Sequence, residues 1–183
     1  MEFKEIPIKG VYEIYPKVYQ DERGHFLETY KKTSFQNMDL ITDWVQDNES
    51  FSKAGVLRGL HFQHGSFAQA KLVRAISGKV LDVCVDLRKG SPTFGGHHSV
   101  ILDQERHNML YIPKGFAHGF LVLEDAVVSY KCSSLYYGES EGGIIWNDKK
   151  LKIDWQVATP VLSEKDQSWP SLDEFMEKTK GGL

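Results

Sequence analysis

Short runs of β-branched and aromatic residues recur along most of this chain, separated by turn-forming residues. That pattern predicts sheets packed as a sandwich or barrel, not a helical bundle. Strands are expected over 11–14, 25–30, 56–63, 70–76, 79–87, 98–102, 108–112, 118–122, 127–131, 144–146 and 153–155. Breakers fall between them: Gly78 divides two runs, Gly90 and Pro92 end another, and Pro113 with Gly115 marks a tight turn. Helix is expected only over 34–38 and 171–178, the latter opening on Ser171 as a cap with Asp173 and Glu174 in its first turn. No internal repeat, low-complexity tract or linker interrupts the pattern, so 1–183 reads as one all-β domain with a few short peripheral helices.

Side chains on a strand alternate between faces, so parity alone assigns residues to one face or the other. Over 79–87, Leu81, Val83, Val85 and Leu87 share an apolar face and Asp82, Cys84 and Asp86 share the other, which reads as an amphipathic strand. Over 56–63, His61 and Gln63 share parity but Arg58 does not. Arg58 and His61 reach one cavity only if the strand bulges, and Gly59 is the residue that permits it. Gln69 and Lys71 also share a face, and a lysine turned inward needs a charged partner or a ligand.

At 183 residues and 41% hydrophobic content the chain is long enough for a genuine core. A net charge of −3 offers no basic excess for nucleic acid, so any cationic site must be local. No stretch approaches a membrane span and the first residues lack a secretory apolar core, which predicts a cytoplasmic protein. Two cysteines, Cys84 and Cys132, make a weak case for a disulfide and read as structural.

The segment Arg58-Gly59-Leu60-His61-Phe62-Gln63, with Lys71 and the His118 of 116–120, carries the candidate chemistry. A histidine able to act as base, beside cations able to hold an oxyanion, suits proton abstraction next to a carbonyl. Metal ligation is the competing use of such histidines. It typically needs two histidines two residues apart on one strand, yet position 63 is Gln and no such spacing occurs; His97 and His98 are adjacent and face opposite ways. Lys71 in the same cavity would also repel a cation, so no metal is expected. A second cluster at 21–28 contains Arg23, suited to a phosphate or carboxylate or else a solvated turn charge. Tyr130, Tyr136 and Tyr137 can donate protons, stack, or simply pack; periodicity does not choose among them.

The ordered segments DERGHFLE, QDNESFS, VLRGLHFQ, QAKLV, DLRKGSPTFG, IPKGFAHGF, SYKCSSLYY, EGGIIWND and LSEKD closely resemble the dTDP-4-dehydrorhamnose 3,5-epimerase family. The resemblance covers about residues 3–175. It implies a cupin-like jelly-roll β-barrel working as a homodimer without metal or organic cofactor, in dTDP-L-rhamnose biosynthesis. The implied substrate is a dTDP-linked 6-deoxy-4-ketohexose, inverted at C3 and C5 by enolisation. By motif, His61 is the base, Asp166 its partner with Asp82 as competitor, Lys71 the enolate stabiliser and Tyr130 the proton donor on the opposite face. Arg58 and His118 would hold the sugar and nearby charge, and Tyr136 would stack on thymine. Arg23, Phe26, Glu28, Gln46, Asp47, Asn48, Gln63, Glu141 and Lys165 complete the implied substrate contacts, with Arg23 and the Phe26 strand reaching across the dimer. The chain departs from the pattern at Tyr136-Tyr137-Gly138 and Trp155-Gln156, where the family has a proline, and at Ala70, where it has a glycine before the lysine. Two other readings remain: an epimerase acting at C3 or C5 alone, and a catalytically silent nucleotide-sugar-binding cupin, against which the joint presence of His61, Lys71, Tyr130 and Asp166 argues.

Overall fold

A computed structural model describes residues 1–183. The chain forms β1 (Glu2–Glu5), β2 (Tyr12–Tyr15), β3 (Val18–Asp21), β4 (Gly24–Leu27), α1 (Lys32–Gln36), β5 (Gln46–Ser52), β6 (Leu57–Gln63), β7 (Lys71–Asp86), β8 (His97–Asp103), β9 (Met109–Ile112), β10 (Phe116–Cys132), β11 (Glu141–Gly143), α2 (Glu164–Gln167) and α3 (Leu172–Thr179). The all-β expectation holds, and every strand pairing is antiparallel. No helix is long and apolar enough to cross a membrane.

Two long strands organise the molecule. β7 and β10 pair from Phe116↔Asp86 to Cys132↔Lys71, and each changes its outer neighbour halfway along. The first half of β7 pairs β9 and the second half pairs β8; the first half of β10 pairs β6 and the second half pairs β5. β11 extends the sheet beyond β6, while β2 and β1 extend it beyond β9. The β3–β4 hairpin forms its own two-stranded sheet, closed at the Asp21–Gly24 turn.

Gly78 corrects the first expectation, because it does not divide 70–76 from 79–87 but lies within the continuous β7. There the ladder slips, with Lys79 opposite Glu124 and Ser77 opposite Val127. Gly78 sits at φ +72°, and a Cβ on it would lie 2.1 Å from the Asp125 carbonyl oxygen. The slip reverses strand parity: Val73 and Ala75 face the same core as Val80 and Cys84. The runs at 118–122 and 127–131 merge into β10 in the same way.

Three apolar clusters explain why alternation misleads in β7. One lies inside the folded sheet and contains Val73, Val80, Cys84, Phe116, Phe120 and Val128. Another covers the opposite face of β6, β7 and β10, where Leu60, Leu81, Val83, Val85 and Ala117 meet Ile144, Trp155, Leu172 and Phe175. The third packs Leu72, Met109 and Tyr111 under Phe35. Residues 80–86 are therefore buried on both faces, and the strand is not amphipathic. The segments 144–146 and 153–155 serve as irregular cover for this sheet, not as strands. Short β1, β3, β5 and α2 were not anticipated, while α3 forms with Ser171 as its N-cap in a capping box with Glu174.

The turn after β7 is built on one carboxylate. Asp86 accepts hydrogen bonds from the Arg88 backbone N–H (3.0 Å), Arg88 Nε (2.9 Å) and Nη2 (2.8 Å), and from Ser91 Oγ and Thr93 Oγ1 at 2.6 Å. Burial alone would raise this carboxyl, but the bonds from Arg88, Ser91 and Thr93 outweigh it and hold it at about 2 against an ordinary 3.8. Since the folded value lies below the unfolded one, the stabilisation is complete above about pH 4 and is lost as pH falls toward 2. Asp86→Asn is expected to cost about 2 kcal/mol at pH 7. The gap from wild type in urea unfolding should shrink to about half at pH 3; an equal gap at both pH values would contradict the assignment.

Candidate active site

The fold brings one end of the interior core to a polar chamber of about 230 Å³, lined by Arg58, His61, Lys71, His118, Tyr130 and Asp166 among others. An adjoining pocket of about 310 Å³ shares His61, Lys71, Tyr130 and Glu141 and adds Gln46, Asn48, Gln63, Gln69 and Tyr136. The bulge anticipated at Gly59 is what admits both Arg58 and His61. Against β10, His118 pairs with His61 and Phe120 with Arg58, so β6 carries one extra residue. Gly59 has φ +130°, and a Cβ there would lie 2.5 Å from the Cα of Gly119. Leu57, Leu60 and Phe62 are thereby turned to the covered outer face.

His61 and Asp166 form a close pair, with Nε2 2.5 Å from Oδ1. A carboxylate only accepts, so Nε2 carries the hydrogen and the Nδ1 lone pair is left for other chemistry. Asp166 is held from behind: Ser163, the N-cap of α2, donates its hydroxyl to Oδ2 (2.8 Å) and accepts the Asp166 N–H (3.1 Å). Burial pushes the Asp166 carboxyl up, but the bonds from His61 and Ser163 reverse this and leave it below the usual carboxylate range. Trp169 packs its edge against the His61 ring at 5.9 Å and lies under the Lys165 ammonium.

The competing carboxylate has a different partner. Asp82 bonds His118 Nε2 at 2.9 Å, and both side chains are buried. Burial lowers the His118 value, more strongly than the pull of Asp82 raises it. Of these two histidine–carboxylate pairs, the one with the open, half-buried imidazole is His61–Asp166.

Lys71 reaches the chamber from β7, 5.9 Å from the centre of the Tyr130 ring, with no ion pair or hydrogen bond within the chain. Burial lowers its value from that of a free lysine, and burial likewise raises the Tyr130 phenol. Arg58 gives its Nε to Ser52 Oγ (3.0 Å), leaving the two terminal nitrogens of its fork for an anion. At the mouth, Glu141 accepts from the Tyr136 hydroxyl (2.7 Å) and from Lys165.

Most of the anticipated site residues therefore meet: His61, Lys71, Tyr130, Asp166, Arg58, His118, Gln46, Asn48, Gln63, Tyr136, Glu141 and Lys165. Asp47 does not. On β5 its neighbours Gln46 and Asn48 face the pocket, so Asp47 points outward and pairs with Lys131 at 2.9 Å. Arg23, Phe26 and Glu28 also lie away from it within this chain. Arg23 pairs with Asp21 on the exposed hairpin, Phe26 is 66% exposed, and Glu28 sits 3.7 Å from Lys31. Ser163, Ser52 and Trp169 were missed, although Ser163 to Asp166 spells the capping spacing and Ser52 shares parity with Gln46.

A sequence profile described as dTDP-4-dehydrorhamnose 3,5-epimerase matches residues 5–174. An enzyme so named from Methanothermobacter thermautotrophicus is 48% identical over 94% of this chain and 95% of its own length. A dTDP-6-deoxy-D-glucose-3,5-epimerase from Legionella pneumophila, crystallised with dTDP-4-keto-L-rhamnose, superposes with TM-score 0.90 at 45% identity, covering 94% of this chain and 93% of the other. A 3′-monoepimerase from Streptomyces bikiniensis, bound to dTDP-quinovose, superposes with TM-score 0.89 at 34% identity, covering 97% and 90%.

An ammonium drawn toward the interior with no carboxylate at ion-pair distance, and only the longer-range pull of Asp82 and Glu141, is destabilising. Lys71→Met is therefore expected to raise the melting temperature, by about 2–4 °C if the gain is near 1 kcal/mol. A melting temperature that stays level or falls would show that Lys71 is already compensated.

Proposed function

The chain belongs to the dTDP-4-dehydrorhamnose 3,5-epimerase family, and on that footing we propose that it inverts C3 and C5 of dTDP-4-dehydro-6-deoxy-D-glucose through the chamber around His61. The observation that carries the reading is the joint lining of one chamber by an Asp166-backed imidazole, an unpaired ammonium and a phenol.

The C4 carbonyl acidifies the hydrogens on C3 and C5. In the proposed route Nδ1 of His61 takes one of these protons, the C–H electron pair becomes the C=C bond, and the carbonyl electrons move to oxygen. In this route Lys71, which lines the same chamber, holds that oxyanion, and charge stabilisation of this kind is a large part of enolisation catalysis. Tyr130 then returns a proton to the other face as the electrons move back, so configuration inverts. Asp166 stabilises the imidazolium formed in the first step, as a carboxylate behind a histidine base does. No redox step is involved, since only C–H, N–H and O–H bonds are exchanged. The free fork of Arg58 suits the diphosphate or the sugar oxygens, and the exposed ring of Tyr136 suits a planar base.

The exposed β3–β4 hairpin supports a second element of the reading. Tyr19 and Phe26 project from it with 51% and 66% exposure, and it carries Arg23 away from its own chain's chamber. In the proposed homodimer this arm lies over the partner's pocket mouth and brings Arg23 and Glu28 to the nucleotide. The 34%-identical monoepimerase of the same fold keeps a single-carbon epimerase as the second reading.

Incubation with the dTDP-4-keto-6-deoxy sugar in deuterated water, followed by NMR, separates these readings. Deuterium is expected at both C3 and C5; label at one carbon selects the monoepimerase, and none refutes the enzyme reading. His61→Ala should abolish exchange at both carbons while dTDP still binds. Asp166→Asn should lower kcat at least about a hundredfold, since a neutral amide no longer stabilises the imidazolium and can present its NH2 to the ring in place of an acceptor.

A further inference from the structure

Gln63 shares the face of His61 and borders the same pocket, and that placement invites reading it as a substrate contact. Its own bonds argue otherwise. One N–H of its amide donates to the Phe67 carbonyl (2.8 Å) and the other to the Leu135 carbonyl (3.1 Å), while its oxygen accepts the Tyr137 N–H (2.7 Å). Both donors and the oxygen are occupied, and the side chain is 5% exposed. Turning the amide over would set its oxygen against two carbonyls and its NH2 against an N–H, so the orientation is dictated by its partners.

These three bonds tie two irregular segments that flank the pocket mouth, 65–70 before β7 and 133–137 after β10. Other links join the same segments. Phe67 and Tyr137 stack with centroids 4.4 Å apart and planes 21° from parallel. Gln69 Nε2 donates to the Ser134 carbonyl (2.8 Å), and Ser133 Oγ accepts the Ala70 N–H (2.8 Å). From the neighbouring strand, Gln46 Oε1 accepts the Tyr136 N–H (2.8 Å), so consecutive amides of the rim are each held by a glutamine. The rim ends in Leu135 and Tyr136, 58% and 59% exposed beside a polar pocket. Apolar side chains kept in that position need a fixed backbone, because a rim free to fold back would bury them.

The geometry points to Gln63 as a positioning residue that holds the aromatic rim ready for the flat end of the ligand without touching the ligand itself. This rests on the nucleotide-sugar reading above for the identity of that end, a thymine base. Pre-positioning acts on binding: ordering the rim in the free protein removes a penalty that binding would otherwise include. The reacting groups have supports of their own besides the clamp, His61, Lys71 and Tyr130 in the ladders that join β6, β7 and β10 and Asp166 on α2 behind its Ser163 cap, so the chemical step should be nearly indifferent to it.

Gln63→Met keeps the length of the side chain and removes all three bonds. Its KM for the dTDP-4-keto-6-deoxy sugar is expected to rise about tenfold, with dTDP affinity falling in parallel and kcat staying within about threefold of wild type. Without any ligand, hydrogen exchange should speed up together in 65–70 and 133–137 and remain unchanged in 163–167. Phe67→Leu, which leaves Gln63 intact but loosens the same rim through the lost stack, should change KM and exchange in the same direction. It serves as the readout should Gln63→Met fail to fold. A tenfold fall in kcat at unchanged KM would overturn the proposal and make Gln63 part of the reacting machinery. Unchanged exchange in 133–137 would overturn it as well. Wild-type deuterium incorporation tests the enzymatic reading separately, and the exchange measurement requires no substrate.

Discussion

The antiparallel ladder between β7 and β10 is the constraint on which the remaining structure depends. Both strands are long, both are buried on two faces over part of their length (80–86 and 116–122), and each serves two different neighbours. A ladder of this kind satisfies the backbone polar groups of its strands internally, which lets apolar side chains on either face be covered by other parts of the chain. The parity reversal at Gly78 is its least obvious product. Lys71 and Asp82 are eleven positions apart and would face opposite ways on a regular strand, yet both turn inward. The chamber owes its cation and its second histidine–carboxylate pair to that one slip in register.

The same ladder explains which parts of the molecule could be read from the chain and which could not. Fold class, most strand positions and the cap of α3 follow from local pattern and were legible. So was the bulge at Gly59, because Arg58 and His61 had opposite parity and a glycine lay between them. The double burial of 80–86 was not legible: a single sequence shows that odd residues are apolar, but not that Val80 and Cys84 meet an interior while Leu81 and Val83 meet the C-terminal cover. Asp47 was grouped with Gln46 and Asn48 by motif, and recognising β5 would have turned it outward. The choice between Asp82 and Asp166 turns on chain separation. His61 and Asp166 are 105 residues apart, and no local rule selects between two carboxylates at such distances.

Rigidity is distributed unevenly around the chamber. The imidazole, its carboxylate and the Ser163 cap form a short chain of bonds in which both oxygens of Asp166 have partners. Lys71 is the opposite case, a charge held inward without an ion pair or hydrogen bond, with Asp82 and Glu141 acting on it only from a distance. A site that binds an electron-rich intermediate benefits from such a vacancy of negative charge, and the empty protein carries its destabilisation. Stability is recovered elsewhere, in the bonded Asp86 turn and in the covered outer faces of the sheet.

The location of Asp166 has a consequence for biosynthesis of the protein itself. His61, Lys71, His118 and Tyr130 all belong to strands that precede residue 133, whereas the carboxylate paired with His61 lies on α2, beyond the covering segment 144–157 in the chain. A nascent chain that has emerged only through β10 can pair its long strands yet has nothing opposite Nε2 of His61. The pair can form only once the chain has been extended past α2, so a His61–Asp166 contact reports that synthesis has passed that point.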